Sequence, residues 1–376
     1  MREFTDGSTA TVRGALEAGC TFFAGYPITP ASPILMMMMR ELPKVGGVAI
    51  QGEDEIASIG MCIGAAMSGA RAMTATSGPG ISLYSENIGL AIMGEVPLVI
   101  VDVQRMGPAT GGATTTAQGD IQFARWCTAG GYPIIALAPS SVPECYSLTI
   151  KAFALAERFR VPVFLLTDKE LNMTATTVDL AAYGDGSGNG APVNTPADRT
   201  SGQEAFTPYR YDPPDGVPPM VRYGDDEVVR FTGSTHDERA FITKDVETVN
   251  RLNRHLAEKI EAHRDEIELV RADLEPGART LFVSFGITAG AMREAVQAAR
   301  RDGQTVSALT INSLWPVPET AIGNALNGVE RVVVAELNLG QYRREIERLG
   351  NGREIVGLNR VDGELIAPEQ FLELIP

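Results

Sequence analysis

The sequence predicts an α/β fold in which short parallel strands form a sheet that helices cover on both faces. Short apolar stretches alternate with helix-like stretches over residues 8–180. The strand-like stretches are continuously apolar rather than alternating, as expected for strands buried on both faces of a parallel sheet. Several of them end in loops rich in Gly, Pro, Ser and Thr, such as GYPITP, TSGPG and DVQRMGPATGG. The carboxyl ends of parallel strands are where ligands bind in such folds.

The elements of this first part are predicted from apolar runs bounded by turn residues. The predicted strands are Thr21–Gly25, Gly47–Gln51, Ala72–Thr76, Pro97–Val103, Ile134–Ala138 and Val161–Thr167. The predicted helices are Ser8–Glu17, Ser32–Leu42, Glu55–Ala70, Ile81–Met93 and Ser141–Phe159. This regular alternation is typical of a parallel sheet whose strands are connected through helices.

Three regions of different composition define the predicted domains. Residues 1–182 carry the alternating elements, and residues 244–376 form a second, smaller α/β unit. Residues 183–243 are predicted to be a linker or insertion, because their first part is rich in Gly and Pro and poor in aliphatic residues. Within them, Gly184-Asp185-Gly186 resembles a diphosphate–metal motif, but no buried strand leads into it, which favours a loop.

The second unit begins with an amphipathic helix predicted within residues 244–271, where apolar residues recur at helical spacing. It continues with the strands Thr280–Ser284, Thr305–Thr310 and Arg331–Glu336, a helix at Gly290–Arg301 and a loop at Asn312–Pro318. No G-x-G-x-x-G sequence follows any of these strands, which argues against a nicotinamide cofactor.

Composition excludes several classes of function. The chain has 32 Lys and Arg against 47 Asp and Glu, a net charge of −15, which argues against a nucleic-acid partner. No apolar run approaches the roughly 18 residues that span a membrane. The first residues lack a signal-peptide core, so the protein is expected to be cytoplasmic. The four cysteines form no C-x-x-C pair, so we expect no metal or iron–sulfur cluster bound by this chain alone.

The segment 51–80 carries the strongest indication of chemistry. Glu53, Asp54 and Glu55 open a helix built largely from Ala, Gly, Ser, Met and Ile, which must therefore be buried. One interpretation is that an acid here only stabilises the helix N-terminus. The other is that a buried carboxyl group exchanges a proton with a molecule bound in a cleft.

Four loops at strand ends supply further candidate site residues. They contribute Thr29, Glu55, Ser77 and Arg105, which are distant from one another in sequence. Because ligands bind beyond the carboxyl ends of parallel strands, we expect these residues to converge on one crevice.

The loop sequences resemble those of a known enzyme family. In order from about Phe23 to Gln341, they read AGYPITPAS, QGEDEIASIG, RAMTATSGPGISL, VDVQRMGPATGGAT and ELNLGQ. These resemble the α subunits of 2-oxoacid:ferredoxin oxidoreductases, most closely the 2-oxoglutarate type. The resemblance implies a three-layer thiamine diphosphate-binding domain of the pyrimidine type, followed by a smaller α/β domain similar to the C-terminal domain of transketolase.

The same resemblance implies an activity and its partners. With a β subunit, the chain would decarboxylate 2-oxoglutarate oxidatively, forming succinyl-CoA and CO₂ from coenzyme A and reducing ferredoxin, in either direction. Thiamine diphosphate would be shared with the β subunit, which would carry Mg²⁺ and a [4Fe–4S] cluster in an (αβ)₂ assembly. The alternatives are a branched-chain 2-oxoacid or pyruvate enzyme, and a non-catalytic subunit that keeps the fold.

The resemblance also implies roles for individual residues. Glu55 falls where the family's glutamate hydrogen-bonds N1′ of the aminopyrimidine, with Glu53 as the rival. Thr29 and Arg105 fall where the family binds the 2-oxoacid, and an arginine fork suits a carboxylate. A surface ion pair is the alternative for Arg105.

Other positions are expected to face the cofactor. These are Pro27, Ile28, Ser77 and Gly78, although a plain strand–helix turn is the alternative at 77–80. Ala31 and Ala109 stand where the family usually has serine, which leaves the choice of 2-oxoacid open.

Overall fold

The computed structural model describes residues 2–183 and 206–376, which form an α/β fold. The strands are β1 (Glu3–Thr5), β2 (Phe22–Gly25), β3 (Val48–Gln51), β4 (Ala72–Thr76), β5 (Leu98–Gln104), β6 (Ile135–Leu137), β7 (Pro162–Asp168), β8 (Thr176–Val178), β9 (Val270–Asp273), β10 (Thr280–Ser284), β11 (Val306–Ile311), β12 (Ser313–Trp315), β13 (Arg331–Glu336) and β14 (Glu354–Asn359). The Gly184-Asp185-Gly186 triplet lies outside the described residues.

Helices connect these strands. They are α1 (Gly7–Glu17), α2 (Ser32–Glu41), α3 (Glu55–Met67), α4 (Pro79–Leu83), α5 (Ser85–Met93), α6 (Ile121–Trp126), α7 (Val142–Phe159), α8 (Lys169–Met173), α9 (Val246–Glu261), α10 (Arg264–Ile267), α11 (Thr288–Arg301), α12 (Glu319–Ala325), α13 (Arg343–Leu349) and α14 (Pro368–Leu372). Two 3₁₀ helices lie at Leu42–Val45 and Leu180–Tyr183. No helix among the described residues is long and apolar enough to cross a bilayer.

The main sheet has seven strands in the order β12-β6-β7-β5-β4-β2-β3 within the described residues. Its neighbours pair in parallel except β12, which runs antiparallel to β6. Every residue of β5 and of β7 is buried, as the continuous apolar runs predict. Because β5, β4 and β2 are adjacent, the loops that follow them lie side by side at one edge.

A second sheet has the order β14-β13-β10-β11-β9, with β9 antiparallel to β11. One apolar cluster joins the two sheets, since it includes Phe164 and Leu166 of β7 together with Val283 and Leu309 of the second sheet. Another cluster covers the opposite face of the main sheet, where Phe159 of α7 packs. The described parts of the chain therefore form layers that share a core.

The prediction of a loop at Asn312–Pro318 was wrong, because this segment contains β12. Ser313 and Trp315 are both buried, and β12 pairs with β6 of the main sheet. The indole Nε1 of Trp315 donates a hydrogen bond to the carbonyl oxygen of Ile121, at 3.1 Å. With three residues and Pro316 directly after it, β12 is too short to stand out in the sequence.

The amphipathic helix predicted within residues 244–271 ends earlier, at Glu261. The short helix α10 follows, and Val270 belongs to β9 because it pairs with Ile311 of β11. The predicted helix Ile81–Met93 is divided at Tyr84 into α4 and α5. Short elements that the sequence did not indicate are β1, β8, α6, α8, α12, α13, β14 and α14.

A buried charge cluster ties α9 to the first part of the chain. Glu95 Oε2 accepts hydrogen bonds from Lys259 Nζ at 2.7 Å and from His255 Nε2 at 3.0 Å. Arg160 donates through Nε to the carbonyl oxygen of Glu95, at 3.0 Å. Burial opposes ionisation of Glu95, but the charge of Lys259 and the hydrogen bond from His255 outweigh it and hold the pKa of this carboxyl group below its ordinary value. The buried, ionised carboxylate of Glu95 is thus stabilised by Lys259 and His255, and removing Lys259 would leave its charge with less compensation.

Lys259→Met is therefore expected to destabilise the protein by about 3–5 kcal/mol, because it leaves Glu95 buried with less compensation. Urea unfolding followed by circular dichroism measures this loss. Lys244 is exposed, so Lys244→Met is the control and should change the free energy of unfolding by less than about 0.5 kcal/mol. Equal effects of the two substitutions would show that the buried pair contributes nothing.

Candidate active site

The loops at the carboxyl edge of the main sheet bring the four predicted residues together. Arg105, directly after β5, donates through Nη1 to the carbonyl oxygen of Thr29 in the loop after β2. Ser77, directly after β4, donates through Oγ to the carbonyl oxygen of Val103, at 2.6 Å. Glu55 begins α3 and lies beside the loop after β4, as described below. The predicted convergence is thus present in the structure.

Glu55 and Glu53 differ in burial, and this separates the two rivals. Glu55 is 6 % exposed, whereas Glu53 is exposed. Asp54 is the N-cap of α3, and its carboxylate accepts a hydrogen bond from the backbone N–H of Ala57 at 2.7 Å. Asp54 thus performs the capping role that the sequence left open for the acids of this segment. The Glu55 carboxyl group therefore has no capping role and is available for other contacts.

Gly80 packs directly against the Glu55 carboxyl group and leaves no room for a side chain. A Cβ atom at Gly80 would lie 2.7 Å from Glu55 Oε1 and 2.1 Å from the hydroxyl oxygen of Thr76. The phenol oxygen of Tyr84 lies 2.7 Å from the hydroxyl of Thr74, close by on β4. Burial, and to a smaller extent the negative charge of Glu55, raise the pKa of Tyr84, so its phenol stays neutral. The loop 77–80 is therefore more than a plain turn, since it allows close approach to the acid.

Gly80→Ala is expected to displace Glu55 and to lower activity at least tenfold, on the order of the loss that a misplaced catalytic group causes. Steady-state turnover of the assembled enzyme measures it. Gly64→Ala on the exposed side of α3 is the control, because a Cβ atom there meets nothing within 4 Å. That control should keep full activity and gain about 0.5–1 kcal/mol of stability. Full activity of Gly80→Ala would show that the close approach has no importance.

Arg105 is held by carbonyl groups rather than by carboxylates. It is 4 % exposed, and its Nη2 donates to the carbonyl oxygen of Thr110 at 3.2 Å. Across the described ranges 2–183 and 206–376, its Nε has no hydrogen-bond partner and no carboxylate forms a salt bridge with it. Gly78 lies against this guanidinium, since a Cβ atom there would be 2.5 Å from Nε. The alternative of a surface ion pair was therefore wrong.

Burial lowers the pKa of Arg105, while the carboxyl groups of Asp120 and Asp102 act in the opposite direction. An arginine stays charged at any physiological pH, so the result is a largely buried cation with hydrogen-bonding capacity left over. Such a group is suited to bind an anion that enters the crevice.

The loop after β2 forms the outer wall of the crevice. Thr29 and Pro27 are exposed, and Ile28 is half-buried against the apolar cluster on one face of the main sheet. Because the carbonyl oxygen of Thr29 accepts a hydrogen bond from Arg105, the backbone of this loop is held next to the guanidinium. Among the described residues, no group of three or more His, Cys, Asp or Glu side chains could hold a metal ion.

Two acids near Arg105 were not predicted as site residues. Asp102 lies within β5 and is fully buried, and Asp120 is the N-cap of α6. An acid within the apolar strand LVIVDVQ was the signal that could have drawn attention to Asp102. Asp120 carried no comparable signal, because acids are common at helix starts.

Comparison with known proteins shows which family the chain belongs to. Residues 13–255 match the family described as pyruvate flavodoxin/ferredoxin oxidoreductase, thiamine diphosphate-binding, and residues 278–371 match core domain II of pyruvate:ferredoxin oxidoreductase. The 2-oxoglutarate synthase subunit KorA of Methanothermobacter thermautotrophicus is 42% identical over 99% of this chain and 97% of its own length. The chain belongs to the pyruvate flavodoxin/ferredoxin oxidoreductase family. The family resemblance stated from the loop sequences is thus confirmed.

Other members of the pyruvate flavodoxin/ferredoxin oxidoreductase family show the same relationship. The ketoisovalerate oxidoreductase subunit VorB of M. thermautotrophicus is 34% identical over 99% of this chain and 97% of its own. A solved structure, 2-oxoglutarate:ferredoxin oxidoreductase from Magnetococcus marinus with 2-oxoglutarate, coenzyme A and succinyl-CoA bound, superposes with a TM-score of 0.91 at 30% identity. The match covers 99% of this chain and 64% of that one. The predicted fold class is confirmed.

Proposed function

We propose that the chain is the α subunit of a 2-oxoglutarate:ferredoxin oxidoreductase. It takes part in the oxidative decarboxylation of 2-oxoglutarate with coenzyme A, which yields succinyl-CoA and CO₂ and reduces ferredoxin. The observation that carries this proposal is the convergence of a buried acid, Glu55, and a buried cation, Arg105, whose Nε has no partner among the described residues, at the carboxyl edge of the main sheet. The identity of 42% with a subunit named 2-oxoglutarate synthase supports the substrate.

The residues around Glu55 fit the pyrimidine end of thiamine diphosphate. The carboxyl group is buried, Asp54 caps the helix in its place, and Gly80 allows the loop after β4 to approach the acid closely. When bound, thiamine diphosphate supplies the nucleophilic carbon that decarboxylation of a 2-oxoacid requires. Glu55 would hydrogen-bond the ring nitrogen N1′ through its buried carboxyl group and exchange a proton with it. Pro27, Ile28, Ser77 and Gly78 would border the same group.

Arg105 and Thr29 would bind the 2-oxoacid. The guanidinium offers donors in a planar arrangement that matches a carboxylate, and its position between two carbonyl oxygens fixes its orientation. The Thr29 hydroxyl, adjacent to it in the loop after β2, would reach the carbonyl or carboxylate oxygen of the substrate. Together they would orient the bond that is cleaved.

A β subunit would complete the site. All four cysteines of this chain are buried, with no pair placed as cluster ligands. We therefore place Mg²⁺ and the [4Fe–4S] cluster in the β subunit, in an (αβ)₂ assembly. Large apolar side chains around the crevice are exposed and offer a surface for this partner, among them Tyr26, Ile56 and Leu83.

The proposal is tested by producing the chain together with its β subunit and measuring ferredoxin reduction with several 2-oxoacids. We expect turnover with 2-oxoglutarate and coenzyme A and far less with pyruvate or branched-chain 2-oxoacids. A preference for 2-oxoisovalerate would instead support the relationship to the ketoisovalerate oxidoreductase subunit, which is 34% identical. The absence of turnover with any 2-oxoacid by a complex that contains thiamine diphosphate and iron would favour a non-catalytic subunit.

A further inference from the structure

Two carboxyl groups lie behind Arg105 on one face of the main sheet. Asp102 of β5 is 0% exposed and is flanked by Thr76 of β4 and Leu166 of β7. Asp120 approaches from α6, where its backbone N–H donates to the side-chain oxygen of Gln104 at 3.2 Å. Asp102 and Gln104 lie on the same face of β5, since side chains alternate along a strand.

These two carboxyl groups have no other partner for their inward oxygens. In the part of the chain that the structure describes, no donor group gives a hydrogen bond to either carboxyl oxygen of Asp102 or to Oδ2 of Asp120. The two side chains are instead within hydrogen-bonding reach of each other. Two ionised carboxylates cannot form such a bond, whereas one proton between them provides a donor for one and an acceptor for the other.

We propose that Asp102 and Asp120 share one proton and act as positioning residues that set the charge next to Arg105, and thereby the affinity of the site for the carboxylate of its 2-oxoacid. This inference rests on the proposed function, because it assumes that Arg105 binds the substrate. The pair is separate from the groups that touch substrate or cofactor.

The charge balance explains what the shared proton does. With one proton the pair carries a single negative charge, and Nε of Arg105 keeps a hydrogen that no acceptor among the described residues occupies. Loss of the proton places a second negative charge beside the guanidinium and weakens its attraction for an anion. Burial of Asp102, together with the charge of Asp120, raises the pKa of Asp102 well above its ordinary value, so the pair releases its proton only as the pH rises.

Other ionisable groups surround the pair. On the neighbouring described elements they are Arg105 after β5, Glu55 of α3, Tyr84 between α4 and α5, Arg125 of α6 and Asp168 of β7. Of these, Arg105 is the group whose charge acts on both carboxyl groups. The alkaline change in substrate affinity is therefore assigned to the pair and not to these neighbours.

The test compares the pH dependence of KM and kcat in the assembled α/β enzyme. For the unmodified enzyme we expect KM for 2-oxoglutarate to rise on the order of tenfold at alkaline pH, with a much smaller change in kcat. In Asp102→Asn the amide donates permanently to Asp120, so this rise should disappear. In Asp120→Asn the amide donates to Asp102 instead, so the alkaline rise in KM should disappear in this variant as well. Asp120→Asn replaces Asp102→Asn in the test if Asp102→Asn does not fold.

Infrared difference spectroscopy supplies a second readout. The C=O band of a protonated carboxylic acid should be present in the unmodified enzyme, be lost over the same alkaline range and be missing in Asp102→Asn. A KM that is independent of pH in the unmodified enzyme, or an unchanged alkaline rise in both variants, overturns the proposal. Arg105→Gln distinguishes failure of the shared-proton proposal from failure of the proposed function. An unchanged KM in Arg105→Gln would show that Arg105 does not bind the substrate.

Discussion

Glu55→Gln is expected to lower kcat of the assembled enzyme by about 10²- to 10⁴-fold, the usual contribution of a group that transfers a proton. The amide keeps the size and the hydrogen-bonding geometry of the side chain but cannot give up or accept a proton in the same way. Because Asp54 and not Glu55 caps α3, the helix should remain intact. Steady-state ferredoxin reduction measures the loss, and circular dichroism checks the fold.

Glu53→Gln is the matched control, since it makes the same chemical change two residues earlier on an exposed side chain. We expect it to retain full activity. A loss of similar size in both variants would mean that the two acids share the task, and full activity of Glu55→Gln would remove the proton-transfer role altogether.

Arg105→Gln is expected to raise KM for 2-oxoglutarate by about 10- to 100-fold, because hydrogen bonds to a charged group contribute about 1.5–3 kcal/mol. Arg105→Lys keeps the positive charge but loses the planar guanidinium, so its KM for 2-oxoglutarate should lie between those of Arg105→Gln and the unmodified enzyme. Both variants also lose contacts to the carbonyl oxygens of Thr29 and Thr110, which orient the loops of the site. Kinetics across substrate concentrations separate KM from kcat.

Arg279 provides the control for this series, because its side chain is 71% exposed and pairs with Glu330 at the surface of the second unit. Arg279→Gln should leave KM and kcat unchanged. If Arg105→Gln lowered kcat but not KM, the arginine would act after substrate binding, and its assignment to the substrate carboxylate would fail.

Much of the fold and the position of the site follow from the sequence because they depend on local patterns. Apolar runs that end in Gly- and Pro-rich loops predicted the parallel strands, and the geometry of such sheets placed Thr29, Ser77 and Arg105 at one edge. The boundaries of β10 and β13 agree with the prediction. These features required no knowledge of distant contacts.

The features that could not be predicted from the sequence depend on contacts between residues that are far apart in the chain. β12 exists because β6 offers an unpaired edge, and its three residues contain no signal of their own. The capping role of Asp54 instead of Glu55 depends on which side chain turns towards the backbone. The contact between Asp102 and Asp120 joins a strand to a helix start, and no periodicity predicts such a pair. Assigned domain boundaries at 182 and 244 stay predictions.

The placement of β12 has a consequence for cooperativity. β12 lies in the chain between β11 and β13 of the second sheet but pairs with the edge strand β6 of the main sheet, and its Trp315 belongs to the core that both sheets share. If the second unit melted alone, β6 would be left as an open edge, which favours association with other chains. We therefore expect the two units to unfold in one concerted transition, and the site at the carboxyl ends of the strands to depend for its rigidity on residues that lie away from it.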